Sequence, residues 1–394
     1  MPVYLDHAAT TPVLPQVAAA MAAQRLQVGN ASSLHTAGRA ARRVVEESRE
    51  RLAGALGARP SEVVFTSGGT ESDNLAVAGV FRARREADPR RRRLLVSAVE
   101  HHAVLDCVQA LVDREGAEVD WLPCDGDGFV DTVAVRRAIE ADPASVALVS
   151  VMWANNEVGT VQDVAAIAAA AHEHAIPVHT DAVQAVGHLP VDFAASGADL
   201  LTLTAHKVGG PIGTGALLVR RDVEILPLVH GGGQERQLRS GTLDTVGILG
   251  LSLAVEQSVA DLDREAPRLG ALRDALITGA VALDYGIRPG GFWAPGDLDR
   301  RTAGNAHLLV PGCEGDSLLY LLDAAGIECS TGSACQAGVP QPSHVLLAMG
   351  LSDRAARGAL RLTLGHSSTA ADVEAFLAAL PAAVERARRA AGVA

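Results

Sequence analysis

The chain has 394 residues, 48% apolar and 20% charged, with a formal net charge of −12. That length provides for two or three domains with substantial cores, and the balance excludes a disordered or fibrous chain. The acidic surplus argues against a general nucleic-acid binder, and no apolar run approaches the roughly 20 residues of a membrane span.

The first dozen residues, MPVYLDHAATTP, are too short to form a layer alone, and Thr10-Thr11-Pro12 marks a turn. They show neither the charged nor the apolar region of a secretory signal. GNASSLHTAGR from Gly29 reads as a polar loop, and apolar spacing predicts a helix over 37–54. Residues 63–66 predict a strand leading through Ser67-Gly68-Gly69-Thr70 into a helix that ends near Ala87. Glycines at such a turn let backbone N–H groups approach an anion, Thr70 adds a hydroxyl, and the helix N-terminus adds a favourable dipole. A plain Gly-Gly turn capping a helix has the same spelling. Arg90 to Arg93 is the basic cluster, read as a solvated loop. The strand 93–97 follows and closes on Glu100-His101-His102. Strands at 119–122 and 146–152 with a helix over 133–141 continue the alternation. Asn155-Asn156-Glu157-Val158-Gly159 is a turn, and a helix follows over 164–174.

Two apolar runs, 176–180 and 199–204, read as buried strands, with Asp181 after the first and Lys207 after the second. As parallel neighbours they present a carboxylate and an amine at the sheet edge where α/β folds place ligands; otherwise the two form a surface ion pair. Gln184, Thr204 and His206 crowd the same edge. An amine to capture an aldehyde, with a carboxylate for a pyridinium, is what pyridoxal phosphate requires of a protein. Further on, 214–220 and 225–229 predict strands, while His230 to Thr242 is polar, Gly-rich and loop-like. Residues 243–283 are mostly helical and 289–296 form a surface excursion. Strands at 305–310 and 360–364, with helices at 315–325, 343–349 and 370–389, make a smaller α/β unit.

ECSTGSACQAGVPQ, between 327 and 342, has neither helical nor strand periodicity. Cys335 lies in its middle, where a mobile tether suits a nucleophile that visits two places. Cys329, six residues earlier, is close enough for a disulfide as the alternative. Cys107, Cys124 and Cys313 read as small buried hydrophobes. Five cysteines without regular pairing suit a reducing compartment, so the cytoplasm is the expected location.

The strings YLDHAATTP, SGGT, EHHAVL, NNEVG, DAVQAVGHLPVDF, TAHKVGGP, RSGT, STGSAC and LRLTLGH span nearly the whole chain. In that order they resemble the cysteine desulfurases, pyridoxal-phosphate enzymes of the aminotransferase-like fold. The resemblance implies a fold type I α/β enzyme. A large domain, 13–258, would hold a mainly parallel sheet between helices; a smaller α/β domain, 1–12 with 259–394, would carry the active-cysteine loop at about 329–342. It implies that Lys207 holds the cofactor aldehyde and acts as a base, with Asp181 on the ring nitrogen and Gln184 on the ring hydroxyl. His101 would stack on the ring and move protons. Asn156 would lie beside the ring and the substrate carboxylate, which Arg361 would bind. Gly69, Thr70, Thr204 and His206, with Thr242 of the partner subunit, would hold the phosphate. Cys335 would take the sulfur of L-cysteine as a persulfide, releasing L-alanine. Also implied are a homodimer and sulfur-acceptor proteins such as an iron–sulfur cluster scaffold, with tRNA thiolation a further destination. No metal, nucleic acid or membrane is implied. Thr204 and Ala205 stand where close relatives often have Ser and Gly, and Thr keeps the hydroxyl. A selenocysteine lyase, an aminotransferase or another fold type I enzyme is the nearest alternative; transamination needs no mobile thiol. A sulfur-transfer scaffold without chemistry is a third reading. A zinc protein is weaker, because no histidine pair shows zinc-finger spacing with cysteines.

Overall fold

The computed structural model describes residues 2–332 and 341–392. Its strands are β1 (Val3–Tyr4), β2 (Val63–Thr66), β3 (Arg93–Ser97), β4 (Glu118–Leu122), β5 (Val146–Ser150), β6 (Val178–Asp181), β7 (Leu200–Thr204), β8 (Gly215–Val219), β9 (Arg288–Pro289), β10 (Asn305–Leu309), β11 (Ile327–Glu328) and β12 (Ala359–Thr363). Every residue of β2, β5, β6, β7 and β8 is buried, as expected for aliphatic strands covered on both faces. Strands β2 to β8 form one seven-stranded sheet in the order β2-β8-β7-β6-β5-β3-β4. Only β8 runs against its neighbours in that sheet.

The period-2 alternation of a strand sends its side chains to two different cores. Val63, Phe65, Leu201 and Leu203 pack with helices Thr36–Ala55 and Thr245–Ala260; Val64, Leu200 and Leu217 pack with Gly69–Ala87 and His102–Glu115. A further core gathers Leu308 of β10, Leu360 and Leu362 of β12, Leu5 and Ile327. Helices Leu262–Val281, Gly315–Asp323 and Ala370–Ala390 cover it. The long helical stretch bends by 73° at Asp261: Leu251 and Val255 before the bend join the sheet core, and Leu269 and Leu276 after it join the other. Among the described residues no single helix is long and apolar enough to cross a membrane.

Besides short elements of two to four residues, a predicted strand and an unpredicted helix depart from the sequence reading. Residues 225–229 are not a strand. Both edges of β8 are already paired, and Pro227 cannot donate to a ladder. Leu226 N–H donates instead to Gly79 O (3.1 Å), in a helix. Helix Pro15–Arg25 had no apolar period to announce it; Val17 is its only buried residue, and Pro15 starts it.

Candidate active site

Strands β6 and β7 are parallel neighbours, with Asp181 opposite Thr202. Asp181 therefore ends one strand beside the point where the other reaches Thr204. A single tight turn, Ala205–Lys207, then brings the amine back over that edge. Ala205 anchors the turn, donating to Thr214 O (3.0 Å) and accepting from Val208 and Gly210 N–H (3.0 and 2.9 Å).

A cavity of about 380 Å³ opens here. Gly69, Thr70, His101, Asn156, Asp181, Gln184, Thr204, His206, Lys207 and Arg361 all line it. Of the other expected site residues, Thr242 is exposed and does not line the cavity, and Cys335 lies outside the described residues. Ser330 and Gly332, which lead into the segment carrying Cys335, line it too.

Lys207 Nζ donates to Ala8 O (2.5 Å) and Ala9 O (2.7 Å). Burial, then the positive charge of Arg361, lowers its pKa to about 8. Asp181 accepts from Val183 N–H through Oδ1 (2.9 Å), and burial followed by the charge of Asp73 raises it to about 7. His101 caps its helix, Nδ1 accepting from Ala103 N–H (3.1 Å), which places the proton of the neutral ring on Nε2. Its ring is reachable from the cavity yet enclosed enough that burial and the Lys207 charge lower it to about 4. Arg361 crosses from β12, donating to Asn156 O (2.9 Å) and Asp6 Oδ1 (2.9 Å), while its buried Nε has no partner. Asn155 is buried and holds the turn, its Oδ1 accepting from Glu157 and Val158 N–H (2.9 Å each); Asn156 faces the cavity.

Sequence reasoning missed several participants. Asp73, from helix Gly69–Ala87, lines the cavity and is 1% exposed, with Oδ1 3.5 Å from His179 Nε2 and no hydrogen bond. Glu100 is fully buried; Oε1 accepts from Met152 N–H (2.5 Å) and Oε2 has no partner. Burial and the charge of Asp181 push Glu100 well above the usual carboxylate range. His179, two residues before Asp181 on the same face, bonds Ser150 Oγ (2.9 Å) and Thr202 Oγ1 (3.1 Å) and is held neutral by burial. Asp6 lies 355 positions from the arginine it binds, so only the fold joins them. Their sequence settings gave no signal: Asp73 stands between Ser72 and Asn74, and Glu100 and Asp6 each precede a histidine, as surface acids do.

These residues fit pyridoxal phosphate. Gly68 precedes helix Gly69–Ala87 with φ of 151°, open to glycine alone, and no side chain caps that helix. Its first-turn amides, beside Thr70 and Thr204, form a cradle for an anion. A Cβ on Gly215 would sit 2.7 Å from Gly68 Cα, so a glycine in β8 lets the turn lie against the sheet. Lys207 supplies a poised amine, and among the described residues the second oxygen of Asp181 bonds nothing in the chain.

The sequence model described as aminotransferase class-V matches residues 3–376. An IscS-like cysteine desulfurase of Mycobacterium tuberculosis is 58% identical over 388 residues, covering 98% of both chains. A cysteine desulfurase IscS of Methanosarcina thermophila is 42% identical over 98% of this chain and 93% of its own. Among solved structures, a NifS-like protein superposes with a TM-score of 0.88 at 35% identity, covering 98% of this chain and 99% of its own. SspA in complex with cysteine has a TM-score of 0.78 at 35% identity, covering 92% and 98%.

Proposed function

The chain belongs to the aminotransferase class-V family, as one of its cysteine desulfurases, and from that premise we propose that it converts L-cysteine to L-alanine and retains the sulfur on Cys335. The observation that carries this reading is the single cavity uniting Lys207, Asp181, His101, Asn156 and Arg361 beside the Gly69–Thr70 cradle. Pyridoxal 5'-phosphate, when bound, supplies an electron-accepting ring that labilises the substrate Cα proton and then its Cβ–S bond. Lys207 would hold that group and, once displaced by the substrate amine, move the Cα proton. Asp181 would stay anionic against the ring nitrogen, Gln184 would bond the ring hydroxyl, and Thr70, Thr204 and His206 would hold the phosphate. Arg361, with Nε unspent and guanidinium braced by Asp6 and the Asn156 carbonyl, would take the substrate carboxylate. Neutral His101 would donate or accept a proton at Nε2. Attack by the Cys335 thiolate on the substrate sulfur would form an enzyme persulfide as the Cβ–S bond breaks, the carbon skeleton taking up protons to leave as alanine.

The same reading extends to a homodimer in which Thr242 reaches the partner's phosphate, and to sulfur-acceptor proteins that serve iron–sulfur cluster assembly and tRNA thiolation. Its domain division is 13–258 against 1–12 with 259–394, close to the bend at Asp261. Absorption spectra before and after L-cysteine, with alanine assay and persulfide trapping, test the proposal. Cys335→Ser should abolish the trapped persulfide and reduce alanine release at least about 100-fold, the scale of losing a nucleophile. Alanine and sulfide release at the parental rate in that variant would refute it.

A further inference from the structure

A second cavity, about 540 Å³, lies at the opposite end of the sheet. The candidate active site sits past the C-terminal ends of β6 and β7. This cavity is lined by Ile176 and Pro177, which lead into β6, and by Asp199, which leads into β7. None of the expected site residues lines it.

Its basic side chains are unequally matched. Arg84, in the last turn of helix Gly69–Ala87, donates to Ala175 O (3.1 Å), and its Nε is shut away from solvent without a partner. Arg91, just ahead of β3, donates to Val146 O (2.9 Å). Neither forms an ion pair among the described residues, whereas most other arginines near this face do. The two are near enough that Arg91, after burial, holds Arg84 below the ordinary arginine range. Asp88 offsets this in part, without an ion pair to either arginine. Asp199 is taken by His172 Nε2 and Val178 N–H (2.8 Å each), with Arg220 3.9 Å away. Asp88 is taken by Arg90 (2.9 Å). Asp222 and Glu224 on the rim are exposed to water and lie outside ion-pair distance of either arginine. Two guanidinium groups with spare donors, one partly desolvated, therefore share a cavity in which none of the lining acids forms an ion pair with either among the described residues.

We propose that this cavity is a binding site for a small molecule carrying a compact oxyanion, phosphate or carboxylate, held between Arg84 and Arg91 with its apolar part against Val80 and Ile176. Planar guanidinium forks match such anions in a bidentate fashion, and the low-dielectric wall strengthens the contact. The site is independent of the proposed activity, because no residue is shared between the two.

The test titrates inorganic phosphate, and separately succinate, into the purified holoenzyme, whose own phosphate cradle is then filled. Chloride holds the ionic strength constant. Saturable calorimetric binding with Kd of about 1 mM or tighter is expected for at least one of them, and the stronger identifies the oxyanion. Arg91→Gln, which gives up a single carbonyl contact, should weaken it at least about tenfold, and in chloride alone should melt within a few degrees of the parent. Hydrogen exchange on the unaltered protein gives a readout that needs no variant: the bound anion should slow exchange over 84–92 and 173–178. Absence of saturable binding by both anions, undiminished binding in Arg91→Gln, or unchanged exchange in both segments would each overturn the proposal.

Discussion

At Lys207 burial and the charge of Arg361 pull together, against the smaller opposing pull of Asp6 and Asp181. The amine is anchored by two carbonyls of the N-terminal segment, yet its folded pKa of about 8 lies below the ordinary 10.5. A lysine whose pKa falls on folding is destabilising wherever the unfolded chain is protonated. The penalty is full below about pH 8 and fades as pH rises toward 10.5, so stability from this group increases through that window. In cofactor-stripped protein Lys207→Met should therefore be more stable than the parent at pH 7, by up to roughly 3 kcal/mol. The gap should close near pH 10.5 in urea titrations. An equal gap at both pH values would mean that packing, not ionisation, sets it. Beneath the same cavity Asp73, Asp181 and Glu100 repel one another's charge, and all three are buried. Three such carboxylates cannot all ionise together, which leaves room for one to answer a cation at the outer oxygen of Asp181.

At the scale of elements, two contacts hold the cradle. The Gly68–Gly215 approach is backbone against backbone: a Cβ on residue 215 would also lie 2.7 Å from Leu203 O. Gly215→Ala should cost about 1–3 kcal/mol and push the Ser67–Thr70 turn off the sheet. It should weaken cofactor retention on dialysis, read from the visible absorption, more than it lowers the melting temperature. The second contact fixes the Gly-rich segment after β8, whose sequence is loop-like. Glu235, 1% exposed, accepts from Arg49 at 2.7 and 2.9 Å and from Phe65 N–H at 2.9 Å, tying that segment to β2. Arg239 likewise pairs with Glu71 of the helix after the cradle (2.9 Å). Glu235→Ala leaves Arg49 only Glu46 (3.2 Å) as an ion-pair partner and strands Phe65 N–H, and should cost about 3 kcal/mol in denaturant unfolding. A loss below about 1 kcal/mol would show the loop to be an ordinary surface segment.

For the whole molecule the prediction concerns Thr242. It is exposed, while Leu26, Val28, Leu34 and Ile212, each more than three-quarters exposed, give this chain an uncovered apolar surface. If Thr242 completes the partner's cradle, Thr242→Ala should weaken cofactor affinity about tenfold, the scale of one hydrogen bond to a charged group. Mixing that variant with Lys207→Ala protein should then restore one tight site in each mixed dimer, because intact Lys207 meets an intact Thr242 from the other subunit. Mixed dimers that keep only weak sites would place Thr242 in its own subunit's service.

The α/β alternation, the parallel pairing of β6 with β7 and the placing of Asp181 and Lys207 at one sheet edge were legible in the order of residues. They depend on short-range facts: unbroken aliphatic runs, a glycine turn before a helix, and a polar residue at the end of each strand. Motifs strung along the chain also marked the family. Asp6 beneath Arg361, Asp73 and Glu100 beneath Asp181, and Glu235 beneath Arg49 were not legible. Each joins positions distant in the chain, and an acidic side chain spells the same whether it meets water or a closed interior. The run 225–229 failed as a strand for a related reason, since a strand requires a free edge and β8 had none left to offer. Local propensity chose the elements; which charges lost their water, and so which pKa values moved, followed from packing alone.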